Sequence, residues 1–159
     1  MKIGEYSTVK DAEIGDGTVI WHHCNIFRCK IGSDCTIGSY VEIGPGVKVG
    51  NKCKIEAFAF LCSGVTLEDE VFVGPHVTFT NDKYPKAVGD WTMVPVLVKK
   101  GASIGANATV ICGVTIGEGS MIAAGSIITR DVPPHMVVAG NPARLMIKKI
   151  ENNGDKRVV

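Results

Sequence analysis

His76 stands five residues ahead of the pair Asn81-Asp82, and that pair opens a polar stretch running to Trp91 in a chain otherwise dense in Ile, Val and Gly. A histidine can take up a proton near neutral pH, an asparagine can hold a proton-bearing nucleophile through its amide oxygen, and a carboxylate can hold an amine or a hydroxyl. His76, nearest the root of the stretch, is the natural general base, and it equally suits a structural histidine at an interface. Trp21-His22-His23 offers rings that would stack on a base or sugar, or pack on a neighbouring coil or subunit. Metal chemistry has little footing. No His-x4-His or Cys-x-x-Cys pair occurs, and His22, His23, His76 and His135 are spread too far apart to gather three ligands, so no metal is expected.

The frame that must position these residues is periodic. Ile31, Ile37, Ile43, Val49, Ile55, Leu61, Leu67, Val73 and Phe79 fall six apart, and Val98, Ile104, Val110, Ile116, Ile122 and Ile128 resume the beat. A short fixed period of inward apolar residues predicts an all-β solenoid, here a parallel β-helix of hexapeptide repeats. The position two before each large residue is small or β-branched, as at Thr18, Cys24, Cys35, Val41, Ala59, Ala102 and Ser120. Residues two apart in a strand share a face, so both point inward, and a narrow prism has room for only one large side chain of the two. Three steps close a triangular turn. Ile26, Ile43, Leu61 and Phe79 then line one face, Ile20, Ile37, Ile55 and Val73 a second, and Ile14, Ile31, Val49 and Leu67 a third, with a single five-residue step from Ile26 to Ile31.

Composition agrees with a thin prism. Aromatic residues are only 6% of 159, too few for an ordinary globular core but enough for one filled with Ile and Val. A net charge of +1 gives no electrostatic reason to expect nucleic acid or a membrane surface as partner. No apolar run reaches the length of a spanning helix or a signal segment, which reads as a cytoplasmic protein. Cys24, Cys29, Cys35 and Cys53 fall on the small inward position, where a reduced cysteine acts as a small hydrophobe.

The beat breaks once. Phe79 to Val98 spans nineteen residues where six would do, so a loop over about 80–95 leaves the prism, and long loops in repeat folds are commonly functional. After Ile128, Pro133 and Pro134 end the sheet, and a short capping helix is expected over 142–150. The domain reading is a β-helix over 1–141, then a capping helix and tail over 142–159. Corner positions form outward columns: His23, Tyr40, Phe58, His76 and Asn107 on one, Arg28, Pro45, Ser63, Asn81, Cys112 and Arg130 on another.

The runs Gly101-Ala102-Ser103-Ile104-Gly105-Ala106-Asn107-Ala108-Thr109, Ala123 to Pro134 and Val138-Ala139-Gly140-Asn141-Pro142-Ala143-Arg144 resemble the hexapeptide-repeat acyltransferases. That resemblance implies a left-handed β-helix, acetyl-CoA as cosubstrate and a homotrimer with active sites between subunits. Ile20-Trp21-His22 and Val77 to Pro85 are similar, more narrowly, to the 3-N-acetyltransferases of UDP- or dTDP-linked amino sugars, enzymes of surface polysaccharide (lipopolysaccharide) assembly. It implies that Asn81 positions the amine, with Asp82 holding the amine or a sugar hydroxyl. Ala106 and Ala124 would meet the cofactor through their backbones, Thr129 and Arg130 would lie by its adenine, and Arg144 near its phosphates. The Gly113 N–H would serve a developing oxyanion. Trp21, His22, His23, Arg28 and Tyr84 are the substrate-side candidates, Arg28 for a nucleotide diphosphate. Two rivals stand beside this reading: an O-acetyltransferase of a sugar or antibiotic hydroxyl with His76 as base, and a β-helix used as an assembly scaffold.

Overall fold

A computed structural model describes residues 1–146. Nearly every strand is two or three residues long, because each face of the prism takes only the large inward residue and its neighbours before the chain must turn. The strands stack into sheets of nine, seven and six. All pairings are parallel except the last, so the described chain is a parallel β-helix.

The register follows the hexapeptide beat. On face one Ile26 pairs with Ile43, Ile43 with Leu61, Phe79 with Val110 and Val110 with Ile128. On face two Ile20, Ile37, Ile55, Val73, Ile104 and Ile122 stack in order, and on face three Ile31, Val49, Leu67, Val98 and Ile116. Partners before the short step are seventeen apart, as Asn25 with Glu42, and eighteen apart after it, as Lys30 with Lys48. Val65 pairs directly with Val96, so the sheet closes as though the thirteen extra residues were absent.

The small inward positions do more than leave space. Thr18 donates its hydroxyl to the Gly32 carbonyl at 2.8 Å, and the Cys24, Cys35 and Cys53 thiols reach the Gly38, Gly50 and Glu68 carbonyls, each at 3.1 Å. Each satisfies a corner carbonyl that the sheet ladder does not reach. Gly105 shows how tightly corners nest: a Cβ there would lie 2.6 Å from the Ala124 nitrogen, so only glycine lets these coils close to strand spacing.

The C-terminal end departs from expectation. The sheets do not stop at the prolines: Val132 bridges to Ile116, and Val137–Gly140 adds a further parallel strand to face two. Ala143–Leu145, expected in a helix, instead folds back antiparallel on that strand. Once Val138 occupies the place of the next inward residue, the chain satisfies that strand's free edge by a hairpin. The rest of the expected helix, 147–150, lies outside the described residues. No helix among the described residues is long and apolar enough to cross a membrane.

Burial pushes the Cys29 and Cys62 thiols from the ordinary value of 9.0 up to about 11. These thiols stay neutral in the fold to a higher pH than in the unfolded chain. Their contribution to stability is therefore intact below pH 9 and lost as pH rises through about 11. The urea midpoint should fall across that window, and the fall should be shallower in Cys29→Ala/Cys62→Ala; equal slopes would show that other groups govern it.

Candidate functional site

The prism has three edges, and the candidate residues divide between two of them. The edge joining face two to face one carries a stack of rings. Tyr6, His23, Tyr40, Phe58 and His76 follow one another with centroids 5.1, 4.7, 4.8 and 4.7 Å apart and planes within 9° of parallel. Each ring residue has φ near +60°, the left-handed turn by which this corner is made. The strand spacing thus sets the ring spacing, and identical backbone turns make the planes parallel. Tyr6 belongs to this ladder although the sequence columns began at His23; extending the column one coil toward the N-terminus would have found it.

Below His76 the same edge shrinks to Asn107 and then Gly125. Ala106 and Ala124 lie there on successive coils, and neither N–H donates to a backbone acceptor among the described residues. With no ring beyond His76, this edge carries only small side chains, the Ala106 and Ala124 nitrogens nesting under Gly74 and Gly105 of the coils above. Trp21 and His22 sit on this edge near its other end, where the His22 Nδ1 accepts the Glu5 N–H at 3.0 Å.

The edge between face one and face three carries Arg28, Asn81 and the loop. Asn81 is held twice: its carbonyl accepts the Val94 N–H at 2.9 Å, and its Nδ2 donates to the Ser63 carbonyl at 3.1 Å. The amide is thereby oriented with Oδ1 left as an acceptor, a use of the Ser63 backbone that residue types do not reveal. Asp82 spends one carboxylate oxygen on the Tyr84 N–H at 2.9 Å, an Asx turn that starts the loop. Tyr84 itself is well exposed. Gly113 corrects an expectation: its N–H donates to the Pro95 carbonyl at 3.0 Å, where the loop re-enters, and is not free for an oxyanion. Thr129 and Arg130 are exposed past Ile128 on this same edge, beneath Cys112. Arg144 is exposed on the antiparallel strand, its guanidinium donating to the Ala143 carbonyl at 2.9 Å.

Two groupings result. His76 lies with Ala106 and Ala124; Asn81 and Asp82 lie with Arg28, Thr129 and Arg130. His76 and Asn81 are separated by the width of face one, five extended residues or ~17 Å, so one copy does not bring them together.

Residues 28–62 and 95–130 match the family of bacterial transferase hexapeptide repeats (six repeats). The repeats of this chain are those of the bacterial hexapeptide transferases. It is 38% identical over 97 residues to the galactoside O-acetyltransferase of Escherichia coli K12, covering 58% of this chain and 47% of that one. It is 55% identical over 49 residues to the dTDP-3-amino-3,6-dideoxy-alpha-D-galactopyranose 3-N-acetyltransferase of Aneurinibacillus thermoaerophilus, covering 31% of this chain and 26% of that one. The chain spans less than half the length of these curated relatives. Its fold is shared with a hexapeptide-repeat acetyltransferase of Vibrio cholerae O1 biovar eltor solved with acetyl-coenzyme A (TM-score 0.60, 22% identity, 92% of this chain and 72% of that one).

The ring ladder has a mechanical consequence. Tyr40 stacks on both His23 and Phe58, whereas Tyr6 stacks on His23 alone. Tyr40→Ala should cost ~1–3 kcal/mol in urea unfolding and Tyr6→Ala about half of that; equal losses would mean that stacking is not what stabilises the edge.

Proposed function

We propose that this protein is an acetyl-CoA-dependent N-acetyltransferase acting on the 3-amino group of a UDP- or dTDP-linked amino sugar in surface polysaccharide assembly. Asn81 is the observation that carries the reading. An amide with its NH2 committed to Ser63 offers an acceptor for an N–H of the amine, but it cannot remove a proton. A neutral amine needs no removal beforehand, since its lone pair attacks the thioester carbonyl directly; the C–S bond breaks and the departing thiolate takes the proton that the new amide sheds. A hydroxyl nucleophile would need a base as it attacks. The 49-residue likeness to a dTDP-amino-sugar 3-N-acetyltransferase supports the same choice.

The division of candidates between two edges supports a homotrimer with its sites between subunits. Ala106 and Ala124 of one copy would line the acetyl-CoA arm, while Asn81 of the next holds the amine. Thr129 and Arg130, on the Asn81 edge, would meet the nucleotide end of acetyl-CoA from that second copy. Asp82 keeps one carboxylate oxygen to orient the amine or a sugar hydroxyl.

A second reading, O-acetylation with His76 as base, is favoured by one feature: His76 is exposed at the open end of the ladder, one coil from Ala106. The two part in experiment. Mass spectrometry of reactions with acetyl-CoA and a panel of UDP- and dTDP-linked amino sugars should show the gain of one acetyl group on a 3-amino sugar. Asn81→Ala should lower kcat about a hundredfold. A near wild-type rate would remove Asn81 from the role. A pH–rate profile that loses a group titrating near neutrality in His76→Asn, with acetylation of a hydroxyl, would replace N-transfer by O-transfer.

A further inference from the structure

On either side of the loop the Asn81 edge turns its corners on left-handed glycines, Gly46, Gly64 and Gly113, with φ of 73°, 91° and 82°. In the coil between Gly64 and Gly113 that place falls to Pro95, by the register of Val96 with Val65 and of Leu97 with Thr115. A proline ring fixes φ near about −65° and forbids the left-handed turn. The corner is built instead from two limbs of chain: Asn81 leaves for the loop, and Met93-Val94-Pro95 comes back. The Val94 N–H, donated to the Asn81 carbonyl at 2.9 Å, ties the two limbs into a neck.

The returning limb sits in the notches that the glycines leave. A Cβ at Gly64 would lie 3.0 Å from the Met93 Sδ, and one at Gly113 would lie 3.2 Å from the Val94 Cγ1. At Gly46, one coil further up, a Cβ would meet nothing within 4 Å. We propose that Met93, through its seat on Gly64, is a positioning residue for Asn81, an inference that rests on the N-acetyltransferase reading above. The contacts form a closed circuit. Asn81 donates its Nδ2 to the Ser63 carbonyl at 3.1 Å, Ser63 is bonded to Gly64, and Gly64 seats Met93. Met93 is bonded to Val94, and Val94 returns to the Asn81 carbonyl. Both hydrogen bonds that hold Asn81 therefore end one residue from the Gly64–Met93 contact, which fixes its main chain and its amide together.

The rest of the loop gives the neck no polar support. Among the described residues, 83–93 make no hydrogen bond or salt bridge to the prism, and the Tyr84 N–H reaches only Asp82. The loop hangs from its neck, and apolar contacts of Met93 and Val94 hold the neck to the edge. Methionine suits such a seat, since an unbranched, adaptable side chain fills an irregular gap. Met93 is also 47% exposed, so its contact lies at the rim, where local opening leaves the core intact. A residue of the core would fail with the fold. Met93 would fail with the alignment of Asn81 alone, and a displacement of about 1 Å at a reacting centre can cost ~100-fold in rate.

The test pairs amide hydrogen exchange of the full chain, read at Val94, with steady-state kinetics on UDP- and dTDP-linked 3-amino sugars. Met93→Ala should speed Val94 exchange about tenfold or more and lower kcat about tenfold, with the KM for acetyl-CoA unchanged. Met93→Leu, of similar volume, should restore both. Gly64→Ala, whose methyl displaces Met93, should match Met93→Ala. Gly46→Ala strains a left-handed corner in the same way without touching the loop, so it should leave kcat and Val94 exchange as they are. Unchanged Val94 exchange in Met93→Ala, or kcat lost equally in Gly46→Ala and Gly64→Ala, would overturn the positioning role. Faster exchange with kcat intact would overturn it as well, because Asn81 would then tolerate an open neck. If Asn81→Ala itself runs near the wild-type rate, the amine-holding reading falls, while faster Val94 exchange in Met93→Ala still keeps Met93 as the clasp of the neck.

Discussion

Everything in this molecule depends on the narrowness of the prism. Each face admits one large and one small inward side chain, and each corner must turn within a few residues. Coils then have no freedom to slide, because a shift of one residue would turn the large side chains outward. Equivalent positions are forced into register at strand spacing. A side chain placed at a corner is therefore stacked over its counterparts in the coils above and below, and a set of corner substitutions becomes a column. The ladder from Tyr6 to His76 is the clearest product: five aromatic rings brought parallel by nothing more than a repeated left-handed turn.

The same constraint explains how a featureless prism acquires chemistry. A rigid repeat offers no natural cleft, so differences between coils must create one. Three differences do so here. The ladder gives way after His76 to Asn107 and Gly125, leaving only small side chains at Ala106 and Ala124. The sheet closes from Val65 to Val96 beneath a loop that it need not accommodate, which frees residues 80–95 to be shaped by Asn81 and Asp82. The two three-residue strands near the N-terminus widen face one beside Arg28. Two of these three lie on one edge and the third on another.

The interior was legible in the sequence because the six-residue beat is a direct record of inward packing. Counting alone placed the short step at Ile26 to Ile31 and the thirteen-residue excursion, and the pairing registers agree at both. What counting could not reach were features set by partners distant in the chain. Gly113 looked available for an oxyanion because its residue type says nothing of the Pro95 carbonyl that takes its N–H. Pro142 ahead of Ala, Arg, Leu and Met has the look of a helix start, yet the open edge of the strand Val137–Gly140 draws Ala143–Leu145 into a hairpin. Asn81 was legible as a candidate by type and position; the orientation of its amide was not, since that comes from the backbone of Ser63 one coil away.

Mixing of subunits tests the central claim most directly. Asn81→Ala damages the loop edge, and Ala124→Trp blocks the opposite edge, so each variant alone should be inactive. If sites form between copies, refolding the two together at equal concentration should restore activity to about one quarter of wild type, the share of interfaces that pair two intact edges in a closed cyclic assembly. A mixture no more active than the two variants measured separately would mean that a single copy carries the whole site.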